Sequence, residues 1–303
     1  MRKVRLGVIG CGVVATRDIL PNLVQPYITR RGIEIVAVCD IVKQRAEKAK
    51  ETFGAKEAYN DYKKMLEKTD INAVAILTPI NTHYSIAMDA AYADKHIYVQ
   101  KSMTTTLKEA NELLLTVKKK GLKLVASPGQ MHNPSLRMAK KLLDNGLIGN
   151  PLWGYIITSS NGHLYEPTDP FWYYKPGGGP LYSFLVYYVT TFCWMLGSVR
   201  KVLALSGVAI PTRWWKQKRI DSEMDDSTMI LMDFGNSIFV SAISNFCSKS
   251  VKSQSAIYGT KGVIEIPLEA FRSTQYSAAQ VAIYNIIRKV RNKLKSLKTK
   301  EWI

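Results

Sequence analysis

A glycine-rich segment near the amino terminus constrains the fold of this chain more than any other feature. It contains G-x-G-x-x-A at Gly10, Gly12 and Ala15, directly after the apolar run of residues 4–9. The first glycine permits a tight turn, the second lets a phosphate approach the backbone, and the small third residue lets a helix pack closely on a strand. The motif therefore predicts a strand, a turn and a helix whose amino terminus faces a pyrophosphate.

An acidic residue extends this motif into a predicted dinucleotide site. Asp40 ends a second apolar run at about the separation expected of a carboxylate that binds ribose hydroxyls. A carboxylate there repels a 2′-phosphate and favours NAD, although Arg45 leaves NADP open. Val13 and Val14, which open the helix, belong to the predicted cofactor site. The alternative is a domain of the same shape with a vacant site.

Strands and helices alternate along residues 1–128, which we interpret as one dinucleotide-binding domain. Five apolar runs are predicted to form its strands: residues 4–9, 33–39, 73–77, 96–99 and 122–126. The first helix is predicted to start in the glycine loop and to continue through residues 18–24, and further helices are predicted at 43–52, 61–67, 83–94 and 106–119. Alternation of this kind, with almost continuously apolar strands, predicts a doubly wound parallel α/β sheet.

The pattern changes after residue 128, and residues 129–280 are predicted to form a second, α+β domain. One helix is expected at 135–145, and an apolar helix at 181–196 follows the glycines 177–179. Segments such as 152–160 and 228–246 instead alternate with a period of two. This alternation predicts a large, mostly antiparallel open sheet.

The carboxyl-terminal segment 281–303 is predicted to form a basic amphipathic helix. Its apolar residues recur at 4-3-4-3 spacing, at Ile283, Ile287, Val290, Leu294 and Leu297. Such a helix can lie on an anionic membrane as a peripheral contact, dock on a partner or pack on its own domain, and the last is favoured.

Composition and charge limit the remaining classes of function. The chain has 303 residues and a formal net charge of +18, which suits an anionic small molecule or simply a soluble surface. Its four cysteines are scattered without metal-ligand spacing, so no metal site is expected. No apolar run is long enough for a membrane span, and glycines interrupt the one signal-like stretch, so a cytoplasmic protein is expected. The basic, aromatic segment 212–219 could stack on nucleic acid, but nothing else supports that class.

Several further motifs resemble the glucose-fructose oxidoreductase/inositol dehydrogenase/MocA family from residue 4 to about residue 265. They are Thr78-Pro79-Ile-Asn81-Thr-His83, Lys95-His96-Ile-Tyr-Val-Gln100-Lys101-Ser102, Gly146-Leu-Ile-Gly149, Gly177-Gly-Gly-Pro-Leu181 and Tyr258-Gly-Thr-Lys-Gly262. The resemblance implies NAD(P)-linked oxidation or reduction of sugars, cyclitols or nucleotide sugars. It also implies a homodimer or homotetramer formed through the open sheet. Additional cofactor contacts are implied at Thr78, Pro79, Asn81, His83, Gln100 and Lys101.

The chain departs from the family pattern where the chemistry is expected. The family typically has Glu-Lys-Pro where this chain has Gln100-Lys101-Ser102, and Asp and His where this chain has Ser183 and Tyr187. Lys101 and Tyr187 are therefore the candidate catalytic pair, with the lysine cation favouring the phenolate. Core packing of Tyr187 is an equally open interpretation.

The candidate substrate contacts lie in the second domain, and the function itself has alternatives. The candidates are His132, His163, Trp172, Lys175, Ser183 and Tyr187, although the histidines could equally be loop residues that face solvent. An enzyme that retains NAD and cleaves glycosides is one alternative function. A ligand-binding protein that has lost catalysis is the other, because the usual acid and base residues are missing.

Overall fold

The computed structural model describes residues 3–164, 169–248 and 254–267. The chain divides into two compact units between Pro128 and Gly129. The predicted tail helix at 281–303 and the end of the predicted second domain lie outside the described residues.

The first unit contains the predicted parallel sheet, with strands in the order β3-β2-β1-β4-β5-β6. All of its recorded strand pairs are parallel. The strands are β1 (Val4–Ile9), β2 (Ile33–Cys39), β3 (Glu57–Tyr59), β4 (Ala73–Ile76), β5 (His96–Val99) and β6 (Leu124–Ala126). This is the doubly wound sheet that the alternating pattern predicts.

Helices connect these strands and bury both faces of the sheet. They are α1 (Leu20–Leu23), α2 (Pro26–Thr29), α3 (Lys43–Phe53), α4 (Tyr62–Lys68), α5 (His83–Tyr92) and α6 (Leu107–Lys119). Successive residues of β4 enter different core clusters, since Val74 packs in one and Ala75 in the other. A strand buried on both faces is almost continuously apolar, which is why the apolar runs located these strands well.

The elements that differ from expectation in this unit are short or irregular. The helix that starts in the glycine loop, as predicted, has an unexpected π-helical first segment, Val14–Ile19. Helix α2 and strand β3 have four and three residues, too few for a periodic signal. Strand β6 begins at Leu124, two residues later than predicted.

The second unit contains the predicted open sheet, in the order β14-β13-β7-β12-β11-β8. Its pairs are antiparallel except for the parallel pair of β12 with β7. The strands are β7 (Pro151–Ser159), β8 (Lys201–Gly207), β11 (Ser227–Asp233), β12 (Phe239–Asn245), β13 (Gln254–Gly259) and β14 (Val263–Pro267). A separate hairpin is formed by β9 (Thr212–Trp215) and β10 (Lys218–Asp221).

Two helices, α7 (Pro134–Asp144) and α8 (Val186–Leu196), pack with one face of this sheet in a single apolar core. Met232, Val240 and Ile156 are buried in that core. Alternate residues of the same strands point to the other face, where Leu231 and Trp153 are exposed. The period-two alternation of the sequence therefore separates a buried face from an open one, and both faces carry apolar side chains.

Candidate functional site

The glycine loop after β1 makes a close contact with the chain after β4. Gly10 has φ +97°, and a Cβ atom there would lie 2.8 Å from the carbonyl carbon and oxygen of Leu77. Its N–H donates to the carbonyl of Cys39, at the end of β2, over 2.8 Å. Only glycine combines this conformation with this approach, so Gly10 has the turn-forming role that the motif predicts.

Gly12 has a different environment, because a Cβ atom there would have no protein atom within 4 Å. The following π-helical segment begins at Val14, which is exposed. Helix amino termini present backbone N–H groups that stabilise bound phosphate. The open surface at Gly12 therefore fits a ligand that approaches the backbone, and it is not needed for packing within the protein.

Asp40 connects the end of β2 to the glycine loop. Its carboxylate is largely buried, with Oδ2 accepting from the Cys11 N–H over 2.8 Å and Oδ1 accepting from the Val42 N–H over 2.9 Å. A carboxylate has about four lone-pair positions, so acceptor capacity remains for ribose hydroxyls. The contact with Cys11 has no signal in the sequence motif, and it gives Asp40 a structural role beside its predicted one.

The residues flanking Asp40 bear on the choice of dinucleotide. Ile41 is 89% exposed, and Arg45 on α3 is also exposed. Because Asp40 lies at the loop and Arg45 is solvated, the carboxylate is the more fixed of the two charges. This arrangement favours a free ribose hydroxyl over a phosphate.

The cysteines beside this loop are buried and unreactive. Burial raises the pKa of Cys11 to about 12, and the charge of Asp40 adds to the shift. Burial likewise raises the pKa of Cys39 to about 12. Thiols protonated at all ordinary pH values are poor nucleophiles, and both cysteines pack in the apolar core of the first unit.

The chain segments after β4 and β5 leave the sheet at the same edge as the glycine loop. The Leu77 N–H donates to the carbonyl of Ile9 over 2.7 Å, and the Gln100 N–H donates to that of Ile76 over 3.0 Å. Thr78 is partly buried, and Pro79 and Asn81 are exposed. In open parallel sheets, ligands bind at this carboxyl edge, so the predicted contacts Thr78, Pro79, Asn81, Gln100 and Lys101 fall where a dinucleotide would lie.

His83 is at this edge but is fully buried. Nδ1 lies 2.7 Å from the carbonyl oxygen of Ser102, and Nε2 lies 2.8 Å from that of Thr78. Both ring nitrogens are thus engaged by backbone carbonyls of the protein, and a contact between His83 and the cofactor stays a prediction. Burial lowers the pKa of His83, the two backbone contacts oppose that shift, and Lys101 adds to it.

Lys101 lies two residues after β5, in the segment that His83 contacts. Its N–H donates to Oε1 of Gln100 over 2.9 Å, and its peptide bond to Ser102 is cis. Burial lowers the pKa of Lys101 to about 8. A lysine amine with this pKa exchanges protons near neutral pH, as acid–base chemistry requires.

The candidates Ser183 and Tyr187 lie around the junction of a π-helical segment, Leu181–Leu185, with α8. Ser183 is buried, and Tyr187 is partly buried against the apolar core of the second unit. The carbonyl of Tyr187 accepts from the Thr191 hydroxyl over 2.8 Å. Tyr187 therefore takes part in packing, and its catalytic role stays a prediction.

The two histidine candidates of the second unit have opposite environments. His132 is exposed, in the short 3-10 turn before α7. His163 is buried, with its ring stacked on Tyr173 at a centroid distance of 3.8 Å and on Phe184 at 5.1 Å. His163 is thus part of an aromatic cluster and is not the solvent-facing loop residue that was the alternative.

Trp172 and Lys175 lie in the loop before the glycine run. The Trp172 ring stacks on Tyr173 at 3.7 Å, and the Lys175 ammonium pairs with the carboxylate of Glu223. The glycine run packs on the same loop, since a Cβ atom at Gly178 would lie 2.4 Å from the Tyr173 carbonyl oxygen. The run therefore shapes this loop by packing, and the charge of Lys175 is already compensated.

The basic, aromatic segment 212–219 forms the β9–β10 hairpin, which buries much of what suggested nucleic acid. Arg213 is buried, with Nη2 2.6 Å from Oδ2 of Asp226, and Arg219 pairs with Asp221 over 2.9 Å. Trp215 is buried as well, whereas Trp214 is exposed. Because Arg213 and Arg219 are each paired with an aspartate, two charges of the basic cluster are compensated within the protein. This removes support for a nucleic-acid site.

Within the described residues, no group of three or more His, Cys, Asp or Glu side chains could hold a metal ion. No helix of this part of the chain has the length and apolar character of a membrane span.

The first unit fits a nicotinamide dinucleotide by its own geometry. The open backbone at Gly12 suits the pyrophosphate, Asp40 suits the adenosine ribose, and the segment containing Lys101 follows a neighbouring strand. Along the sheet, Asp40 follows β2, Gly12 follows β1 and Lys101 follows β5. An extended dinucleotide crosses the carboxyl edge of such a sheet in the same order, from adenosine ribose through pyrophosphate to nicotinamide.

Comparison with known proteins identifies the family. Residues 4–130 match the model of an oxidoreductase family with an NAD-binding Rossmann fold, and residues 136–265 match the GFO/IDH/MocA C-terminal domain. The chain is 25% identical to inositol 2-dehydrogenase of Salmonella typhimurium strain LT2 over 279 residues, which span 90% of this chain and 77% of the relative.

Solved structures give the same fold. A levoglucosan dehydrogenase in complex with NADH and levoglucosan is similar with a TM-score of 0.79 and 22% identity, over 88% of this chain and 74% of that one. The WlbA dehydrogenase of Bordetella pertussis, in complex with NADH and UDP-GlcNAcA, is similar with a TM-score of 0.76 and 20% identity, over 88% and 74%. With both of its units matched by the family's models, this chain belongs to the NAD-binding GFO/IDH/MocA family of oxidoreductases.

Proposed function

We propose that this protein is an NAD-dependent oxidoreductase that transfers hydride between the nicotinamide and a hydroxyl or carbonyl carbon of a sugar, cyclitol or nucleotide sugar. The observation that carries the proposal is the conjunction of an open glycine loop, Asp40 and Lys101 at one sheet edge. The substrate class is supported by relatives named for inositol and by neighbours bound to levoglucosan or UDP-GlcNAcA.

Lys101 is the proposed acid–base residue. Bound NAD supplies the hydride acceptor. Oxidation of a hydroxyl also releases a proton, and a neutral Lys101 amine can accept it because its pKa is about 8. In the opposite direction the ammonium form donates the proton. Tyr187 is proposed as a second proton-handling residue, and Tyr187→Phe tests it through a change in the pH–rate profile.

The cofactor site and substrate class are tested together by titration and turnover. Calorimetric titration should show micromolar binding of NAD and at least roughly tenfold weaker binding of NADP, owing to Asp40. Absorbance of NADH should then rise when the holoenzyme is given myo-inositol, levoglucosan or a nucleotide sugar from a panel. If neither dinucleotide binds, the proposal fails.

One observation favours a second function, a ligand-binding protein without turnover. The positions at which the family resemblance implies Asp and His hold Ser183, which is buried, and Tyr187, which packs in the core. Tight NAD binding with no hydride exchange across the sugar panel would favour this function. Retained cofactor with cleavage of a glycoside and no net NAD turnover would instead indicate the glycoside-cleaving chemistry.

We also propose that the open face of the second sheet is covered by a second copy of the chain. Leu203 is 72% exposed and Leu205 is 80% exposed, and both lie on the same face as Met229, Leu231 and Phe239. Contiguous exposed apolar surface of this kind marks interaction sites. With a net charge of +18 and few charges on this face, apolar contact between identical faces suits a homodimer or homotetramer.

A further inference from the structure

His83 is a buried titratable residue of the first unit that the proposed chemistry does not use. It is the first residue of α5 and has no solvent exposure. Burying a polar ring costs free energy unless its nitrogens are hydrogen-bonded. The two contacts of the ring nitrogens therefore indicate which interactions offset the cost of burying His83.

Both contacts are to backbone carbonyls of segments that follow neighbouring strands. Thr78 comes after β4 and Ser102 comes after β5, and the ring spans them with distances of 2.8 Å and 2.7 Å. A neutral imidazole can donate to only one of two carbonyls, whereas the protonated ring donates to both. The number of carbonyls to which the His83 ring donates therefore depends on its protonation state.

Among the described residues, charged groups around this ring come from the Lys101 segment, from α5 itself and from α6. The charge of Lys101 disfavours protonation of His83. On α5 itself the acidic residue is Asp89, which accepts from the Tyr62 hydroxyl over 2.8 Å and lies 3.6 Å from the Lys63 ammonium. The neighbouring helix α6 contributes two carboxylates: Glu109 caps its own helix, and Glu112 bonds the Tyr84 hydroxyl.

We propose that His83 is a positioning residue for Lys101. The His83 ring holds the segment that contains Lys101 against the segment after β4, and its protonated form disfavours a positive charge on the Lys101 amine. The two residues then compete for positive charge, since each raises the cost of charging the other. The inference rests on the proposed function in so far as Lys101 exchanges the substrate proton.

The charge competition is tested without turnover, by NMR of the protein free of cofactor. The chain has four histidines, so ring signals of ¹⁵N-histidine-labelled protein can be assigned with His83→Gln. In Lys101→Met, the His83 titration should move to higher pH by roughly half to one unit relative to wild type. Lys108→Met, on the exposed side of α6, is the matched control and should leave it in place.

Positioning is tested in the holoenzyme. His83→Gln should lower kcat by roughly tenfold or more. The Kd for NAD should stay within about twofold, since the glycine loop is intact, whereas a general loss of structure would weaken both. His96→Gln, an exposed histidine in the same unit, should leave both constants unchanged.

The outcomes separate this inference from the proposed function. Identical His83 titrations in wild type and Lys101→Met would overturn the inference, whether or not a substrate is found. If His83→Gln does not fold, single Gln variants of the other three histidines assign the His83 signals by elimination, and the Lys101→Met titration still decides the inference. The shifted titration in a protein that oxidises no member of the sugar panel would support the His83–Lys101 pair and count against the proposed function alone.

Discussion

Two glycines in one loop are required for different reasons. Gly10 has a left-handed backbone and close backbone neighbours, whereas Gly12 is outside the left-handed region and has open space where a side chain would begin. The sequence motif predicts a tight turn at the first glycine and a phosphate approach at the second, and the structure gives Gly10 a role in folding and leaves space at Gly12 for a ligand. Substitution by alanine separates these roles.

We expect Gly12→Ala to leave the free energy of unfolding within about 0.5 kcal/mol of wild type. It should weaken NAD binding by roughly tenfold or more, because the added methyl group occupies the phosphate approach. Gly10→Ala should instead cost about 2–4 kcal/mol of stability through backbone strain and overlap. Urea unfolding and calorimetric titration measure both, and equal loss of stability in the two variants would contradict the assignment.

The charge state of Lys101 gives a pH dependence with a defined sign. Because the pKa of Lys101 is about 8 in the folded protein and its ordinary value is 10.5, the unfolded chain binds more protons between these two pH values. Stability therefore rises with pH across this window as far as Lys101 is concerned. The oxidation rate should also rise with pH through about 8, as the neutral amine forms.

The pH–rate profile of Lys101→Met should therefore lack the rise near pH 8, and its kcat should be lower by roughly a hundredfold or more. The substitution should at the same time raise Tm at neutral pH, because the cost of burying the charge disappears, and the gain in Tm should shrink as the pH approaches the ordinary lysine pKa of 10.5. Calorimetric scans and pH–rate profiles check this. A variant with lower Tm at neutral pH would show that Lys101 is held as a stabilising cation.

At the scale of elements, the β9–β10 hairpin is attached to the second unit by a buried ion pair. Asp226 is fully buried and accepts from the N–H groups of Ala209 and Ile210, over 2.6 Å and 2.9 Å, and from Arg213. Burial raises the pKa of Asp226, but these hydrogen bonds outweigh it, and the net shift is downward. The stabilisation is therefore present above the unfolded pKa and is lost as pH falls through the folded value.

Asp226→Asn should destabilise the protein by about 3–5 kcal/mol, because it leaves the Arg213 charge buried without its partner. Asp221→Asn is the matched control, since the Arg219–Asp221 pair of the same hairpin is exposed, and it should change stability little. Chemical unfolding of both variants provides the comparison. Similar losses would mean that the hairpin is not anchored by the buried pair.

On the scale of the whole molecule, sequence motifs that are far apart in the chain pack against each other in the second unit. Gly149 and Gly259 belong to motifs more than one hundred residues apart, yet a Cβ atom at Gly149 would lie 2.1 Å from Oγ1 of Thr260, and one at Gly259 would lie 2.2 Å from the Ile148 carbonyl oxygen. The Lys261 N–H also donates to the Ile148 carbonyl over 2.8 Å. These motifs of the family are thus packing contacts between chain segments.

The open sheet face gives a prediction about assembly. Leu203→Lys with Leu205→Lys should reduce the molar mass in solution toward that of one chain, because charges would have to be buried in an apolar contact. Leu115→Lys is the control, because Leu115 is exposed on α6 of the first unit, and this variant should keep the wild-type molar mass. Light scattering after size-exclusion chromatography measures this, and an unchanged mass in the double variant would exclude this face as the interface.

The sequence alone determined the parallel sheet, its cofactor class and the family. These follow from local signals, since an apolar run buried on both faces, a glycine turn and an acid at a strand end are legible without knowing what the chain packs against. The alternation of the second half likewise predicted an open sheet. Short elements such as β3 and α2 escaped because their periodicity is too brief to detect.

Only the tertiary structure decided what individual polar residues do. His83 proved to span two carbonyls, Asp40 proved to bond the glycine loop, and His163 proved to stack in an aromatic cluster. Each depends on groups that are distant in sequence and close in space, and residue type and spacing carry no record of them. Burial and pairing are properties of the folded neighbourhood, so the sequence could nominate these residues and only the packed chain could assign them.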